Sequence, residues 1–212
     1  GRAYLGLAAG AWLDRLSLDT TRAYTAIVET WEIVRRLLAR DASGFDGELF
    51  SLAAGETLAY EPHRSAVPLL IGTWSPRLTA FASSRADELK LGGSANPELV
   101  RLVRERLGAG TRLVVGAVTV VDQDDRAARE HARREVELYL PVVAARDPTV
   151  RTLDGDVLGR FAFAGSPARI AEQALALYEA GADRVEFGTA HGIDERRGVE
   201  LLAAEVLPAL QA

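Results

Sequence analysis

Cysteine and methionine are both absent from the 212 residues, and histidine occurs only three times. Without cysteine there is no disulfide, no thiolate metal site and no thiol nucleophile. Long apolar runs are also missing. None approaches the roughly 20 residues that span a bilayer, and no charged-then-apolar leader opens the chain. No membrane association and a cytoplasmic location are therefore expected. Nor is there an excess of positive charge. The 25 Lys and Arg are interspersed with 30 Asp and Glu, for a net charge of −5. A chain without a basic stripe is a poor ligand for nucleic acid, whose affinity comes mostly from phosphate neutralisation. What is present is an ordinary globular mix, 48% hydrophobic and 26% charged, so disorder is not expected.

One unit recurs along the chain, a short apolar run followed by an amphipathic helix. The runs are Ala3 to Ala8, Pro68 to Ile71, Leu89 to Gly92, Leu113 to Val121 and Arg184 to Phe187. Most are nearly continuously apolar, as strands buried on both faces of a parallel sheet are. Asp19 can cap a helix with Ile27, Trp31, Val34 and Leu38 inward. Asn96-Pro97-Glu98 and Ser166-Pro167 are cap-and-proline starts; Gly108 and Gly181 are stops. The second of these helices should turn Ile170, Ala174, Leu177 and Tyr178 inward. A charged helix is expected from about Asp124 to Tyr139, and a last one from about Asp194 to Leu210.

Strand–helix alternation predicts an α/β fold with a parallel sheet in a single domain over 1–212. On pattern alone, a five-stranded open sheet and an arc of a (β/α)8 barrel stand level. The barrel reading makes the chain the C-terminal five-eighths of its fold, with a truncated N-terminus. Residues 41–66 break the pattern as an insertion, with short strands expected at Phe45 to Phe50 and Thr57 to Tyr60 around Ala54-Gly55. Asp154-Gly155-Asp156 is a turn signal, with too few oxygen ligands for calcium.

In such folds ligands bind where the strands end. That selects Ala8 to Asp14, Thr73 to Leu78, Gly92 to Asn96, the residues around Val121 to Gln123, and Gly188 to Gly192. Leu5 to Trp12 is rich in small residues but lacks both the dinucleotide fingerprint and the phosphate-loop Lys-Ser/Thr. Close packing explains it as readily as a ligand does. Ser75 and Pro76 can start a helix beside Arg77, a possible anion site or an ordinary capped helix. His191 stands at a strand exit, where a lone histidine is more often structural than catalytic. His131 lies in the charged helix as surface, and His63 has no metal partner at useful spacing. No catalytic triad, paired-carboxylate site or metal site is visible, so no residue is named as catalytic.

Several of these segments together resemble one family. Gly6-Leu7-Ala8-Ala9-Gly10-Ala11-Trp12-Leu13-Asp14-Arg15-Leu16 is similar to the fourth-strand exit of luciferase-like oxidoreductases, especially the deazaflavin-dependent methylenetetrahydromethanopterin reductase group. Gly72 to Arg77 resembles the fifth exit, and Ala86 to Pro97 the sixth strand. Arg133 to Val143, Phe161 to Gly165 and Val185 to Gly192 complete the match, which covers nearly the whole chain. The resemblance implies an incomplete TIM barrel, about strands four to eight. It implies coenzyme F-420, or alternatively FMN, across the strand mouths, and hydride transfer to a small organic or one-carbon pterin substrate.

By position, the cofactor contacts carried over are Ala9, Gly10, Asp14, Trp74, Ser75, Arg77 and Leu78. Gly92, Gly93, Ser94 and His191 fall on the substrate side. A homo-oligomer is implied for the full-length form. Ala11 and Ala95 stand where related sugar-phosphate dehydrogenases carry an acid and nearby lysine, so a sugar phosphate is not expected. The stretches 108–111 and 147–160 are short for the family. The rivals are an FMN-dependent luciferase-like monooxygenase, and a non-catalytic barrel fragment or partner subunit.

Overall fold

The computed structural model of the chain describes residues 2–10, 13–150 and 157–211, leaving aside the side chains of Asp14 and Arg15. The turn signal at Asp154-Gly155-Asp156 lies outside the described residues, as do Ala11 and Trp12. Six parallel strands make the main sheet: β1 (Leu5–Ala8), β4 (Leu69–Gly72), β5 (Glu88–Gly92), β6 (Arg112–Val121), β7 (Ala162–Gly165) and β8 (Arg184–Gly192). They run in the order β1-β4-β5-β6, and β6 then pairs with both β7 and β8. Among the described residues the strands form an open arc, and β1 and β8 are each paired along one edge only.

Helices α1 (Ala23–Ala39), α2 (Pro76–Arg85), α3 (Pro97–Arg104), α4 (Asp125–Val136), α5 (Leu140–Arg146), α6 (Leu158–Phe161), α7 (Pro167–Glu179) and α8 (Glu195–Leu201) alternate with them. The last continues through one π-helical turn, Leu202–Val206, into Leu207–Ala209. No helix among the described residues is long and apolar enough to cross a membrane.

Strand periodicity sorts the two faces of the sheet. Leu69, Ile71, Leu89, Leu91, Leu113, Val115 and Ala117 point one way, into a core shared with Leu99, Val100 and Val103 of α3 and Ile170 and Leu177 of α7. Complete burial of such side chains contributes roughly 1.5–3 kcal/mol each, which makes this face the anchor of the fold. A second cluster joins Val120, Ala162 and Ala164 to Ala128, Ala132 and Val136 of α4. At the strand starts two aspartates tie neighbours together. Asp87 accepts from the Leu69 N–H at 2.8 Å, and Asp183 from the Leu113 N–H at 2.7 Å. This end of the sheet is locked, leaving the other free for function.

Several expectations need correction. Asp19 does not cap α1: its carboxylate accepts from the Thr21 N–H and hydroxyl, one turn too early, and Arg22 takes the cap position. β7 is an extra strand, too short for a periodic signal. Tyr178 is 40% exposed, because Leu177 already fills the inward position and its neighbour turns out. The short strands of the 41–66 segment are β2 (Phe45–Asp46) and β3 (Ser51–Leu52), and their turn is 47–50 rather than Ala54-Gly55.

Glu29 of α1 sets that turn. Its buried carboxylate accepts three backbone N–H bonds, from Glu48 at 2.6 Å and from Leu49 and Phe50 at 2.9 Å. Burial works to raise the Glu29 pKa, but the three amides together with Arg22 outweigh it and hold it below the ordinary glutamate value. A carboxylate with a lowered folded pKa stabilises above its unfolded pKa, and that stabilisation is lost as pH falls through the folded one. Hydrogen exchange should accordingly show the Glu48, Leu49 and Phe50 amides losing protection at acid pH before the sheet does. In Glu29→Gln the same amides should be labile already at neutral pH.

Candidate active site

Because all six strands are parallel, their C-terminal ends open on one side. Register brings the exits of β1, β4 and β5 together: Ala8 pairs with Gly72, and Gly72 with Lys90. Ala9-Gly10, Thr73-Trp74-Ser75 and Gly93-Ser94 therefore leave the sheet side by side. Gly10 and Gly93 turn with φ of 77° and 76°, a conformation that a side chain disfavours. On the face away from the helices Ala8, Gly72, Gly92 and Gly116 carry little or no side chain at this level, with Lys90 and Glu186 rising beside them, and a Cβ built on Gly92 would meet nothing within 4 Å. A planar ring fits such a floor by shape.

Four main-chain amides at the mouth are already bonded within the protein. The Thr73 N–H donates to the Lys90 carbonyl at 3.1 Å, and the Ser75 N–H to the Thr73 hydroxyl at 2.9 Å. The Gly93 and Ser94 N–H groups both donate to the Gly116 carbonyl, at 2.6 and 3.3 Å. Three of these donors hold the loops to the sheet, and the Ser75 amide closes its own loop.

The side chains named from the sequence fall into two groups. Ala9, Gly10, Trp74, Ser75, Gly92 and Gly93 gather at the mouth. Trp74 is half-buried there, its indole N–H donating to the Gly92 carbonyl at 2.9 Å. Ser75 stands at the cap position of α2 with no capping bond from its hydroxyl. The others are set back. Leu78 is buried in the main core, and Ser94 is 0% exposed, its hydroxyl accepting from the Asn96 N–H at 3.3 Å. Arg77 is exposed, with its guanidinium stacked 3.7 Å from the Tyr24 ring centroid. Asp14 belongs to a 3-10 turn, Leu13–Leu16. His191, with φ of 71°, is the penultimate residue of β8, next to α8. Its Nδ1 lacks a hydrogen-bond partner among the described residues and lies 3.6 Å from the Glu195 carboxylate.

Two constellations escaped the sequence reading. The first is a buried polar knot behind the β5 exit. Asn96 donates to Asp147 at 2.7 Å and to Thr149 at 2.8 Å, caps α3 through the Glu98 N–H, and accepts from Arg160. Tyr139 stands beside it near Gly93, donating to the Phe161 carbonyl at 3.2 Å. Burial pushes its hydroxyl well above the ordinary phenol range, so it stays a neutral donor.

The second is a band of charge on the concave face, formed by Glu88 and Lys90 of β5, Arg112 of β6, and Arg184 and Glu186 of β8. Arg184 grips Glu88 bidentately at 2.7 and 3.0 Å, Arg112 adds a contact at 2.6 Å, and Lys90 pairs with Glu186. Burial works to raise the Glu186 pKa, but Lys90 and then Arg184 outweigh it and keep it lowered. The alternation Glu-Leu-Lys-Leu in β5 and Arg-Val-Glu-Phe in β8 was the signal that could have revealed this band. Among the described residues, no group of acidic and histidine side chains could hold a metal.

The parallel α/β arc has relatives among known proteins. The profile of the luciferase-like monooxygenase family matches residues 1–184. The chain belongs to that family. Within it, a 5,10-methylenetetrahydromethanopterin reductase of Archaeoglobus fulgidus is 24% identical over 254 residues, covering 100% of this chain and 74% of the relative. Among solved structures, the coenzyme F-420-dependent tetrahydromethanopterin reductase of Methanopyrus kandleri superposes with a TM-score of 0.83 at 19% identity. It covers 99% of this chain and 75% of the other. An FMN-bound type II Baeyer–Villiger monooxygenase from Pseudomonas putida gives 0.71 at 17% identity, over 98% of this chain and 71% of that one. At these identities the structural likeness establishes the luciferase-like (β/α)8-type fold.

Proposed function

We propose that this luciferase-like chain forms the cofactor mouth of an oxidoreductase that transfers a hydride between coenzyme F-420 and a small organic or one-carbon pterin substrate. It would act in the cytoplasm, as a homo-oligomer in the full-length form. The observation that carries the reading is the convergence of three small-residue strand exits on one open floor, in a family whose matched relative is named a methylenetetrahydromethanopterin reductase. When bound, the deazaflavin supplies a hydride at C5 of its ring system.

The protein's part is positioning. Gly92 leaves room for the ring plane, and Trp74, pinned by Gly92, walls it at one side. The Gly10 and Gly93 turns keep the loops low. Ala9, Ser75 and Arg77 line the outer side, where an acidic tail would emerge; Leu78 and Ser94 shape the walls from behind. Holding ring and acceptor in one geometry is where such an enzyme gains most of its rate.

FMN remains the second reading, favoured by the FMN-bound structural relative. Its terminal phosphate needs a cation, and Arg77, stacked on Tyr24, is the one arginine in the Thr73 to Leu78 exit. Titrating the chain with F-420 and with FMN, followed by cofactor absorbance and fluorescence, separates the two. Saturable binding that is tighter for F-420 and weakened in Gly93→Val is the expected outcome. Spectra identical to those of the free cofactors would refute the proposal.

A further inference from the structure

The charged band on the concave face contains two ion pairs of different character. Glu88 has a side chain only 7% exposed, and both of its oxygens are occupied, Oε1 by Arg184 and Arg112 and Oε2 by Arg184. It is a closed clamp between β5, β6 and β8. The pair above it is open. Lys90 and Glu186 are 35% and 31% exposed. Among the described residues Glu186 is the one partner of the Lys90 ammonium, which has three N–H donors. Glu186 receives Lys90 on one oxygen and Arg184 on the other, leaving further lone pairs on both.

Their height in the sheet matters. Lys90 is in register with Gly72, the last residue of β4, and Glu186 with Gly116, which also pairs with Gly92, the last residue of β5. The pair thus stands at the level where two strands end and the mouth begins. It spans β6 above Gly116, where a Cβ would come within 3.6 Å of the Lys90 side chain and 3.2 Å of Glu186. Half-exposed ion pairs contribute little to stability, and apolar residues would cover the sheet as well. What the pair does provide is a cationic donor beside an anionic acceptor, both with unused capacity, facing the floor.

We propose that Lys90 and Glu186 are specificity-determining residues that dock a cyclic amide edge, a ring carbonyl next to a ring N–H. The ammonium donates to the carbonyl, and the carboxylate accepts from the N–H. This inference rests on the reading of the mouth as a ring-binding site. The pyrimidinedione of a flavin or deazaflavin and the lactam of a pterin share that edge.

The test measures binding of F-420, FMN, N3-methylated FMN and 6-methylpterin to the wild-type chain, Lys90→Met, Glu186→Met and the exchanged pair Lys90→Glu/Glu186→Lys, together with Tm. Charged hydrogen bonds to a ligand are worth about 10-fold or more in affinity each. Each single variant should lose about that factor with Tm nearly unchanged. The exchanged pair keeps an ion pair but reverses donor and acceptor, so it should also bind weakly; it carries the comparison if a single variant proves unstable. A loss confined to F-420 and FMN identifies the cofactor's edge, and methylating N3 should then cost wild type about as much as Glu186→Met does. A loss confined to 6-methylpterin identifies the substrate's edge. Wild-type binding that no variant alters overturns the inference and leaves the functional proposal standing. If the wild type binds none of the four, the ring-site reading itself fails and the inference falls with it.

Discussion

Replacing Gly198 with alanine is expected to lower the unfolding free energy by about 2–3 kcal/mol, despite alanine's advantage of roughly 1 kcal/mol as a helix former. Gly198 lies in α8, whose backbone rests on the end of β8. A Cβ there would sit 2.3 Å from the His191 carbonyl oxygen and 2.6 Å from the Gly192 nitrogen. Those neighbours are main chain and cannot rotate away, so α8 must lift off the strand. At this chain length the loss corresponds to a fall in Tm of roughly 5–10 °C. Gly110→Ala is the control: its Cβ would meet nothing within 4 Å, and its Tm should barely move. The lift would also displace His191 and Gly192, so ligand binding at the mouth should weaken in Gly198→Ala even where the protein remains folded.

Asn96→Ala should cost about 3 kcal/mol, more than the roughly 1 kcal/mol of a simple helix cap. The side chain does more than cap α3. It bridges the buried Asp147 and Thr149 on one side and receives Arg160 on the other. Truncation leaves the Asp147 carboxylate, buried beside the β5 exit, without its amide donor. Asn96→Asp keeps the cap oxygen but places two carboxylates together, so its stability should improve as pH falls, opposite in sign to the Glu29 effect. Urea denaturation of the two variants at neutral and acid pH checks both the magnitude and the sign.

How much of this was legible in the sequence depends on the range of the interaction. The starts of α3 and α7 were readable because cap and proline are local signals; Asn96 and Ser166 accept from the Glu98 and Arg169 N–H groups as their positions imply. The parallel sheet was readable because apolar runs alternate with helices. The turn between β2 and β3 was not, since it is set by Glu29, about twenty residues away on α1. The role of Asn96 as a hub was equally hidden, because its partners come from residues 147–160. The band from Glu88 to Glu186 needs the register of β5, β6 and β8 before its charges can be seen as neighbours. At the mouth, composition pointed to loops that the strand register does bring side by side, but not to the use of their amides, four of which are bonded back into the protein.

In the proposed function, separate strand exits act as one ring-binding floor. Amide hydrogen exchange of the chain with and without F-420 tests it most directly. Cofactor should slow exchange together in residues 9–10, 73–78, 92–95 and 186–192, leaving the hairpin at 45–52 unaffected. Protection confined to the hairpin or the outer helices, or none at saturating F-420, would contradict it.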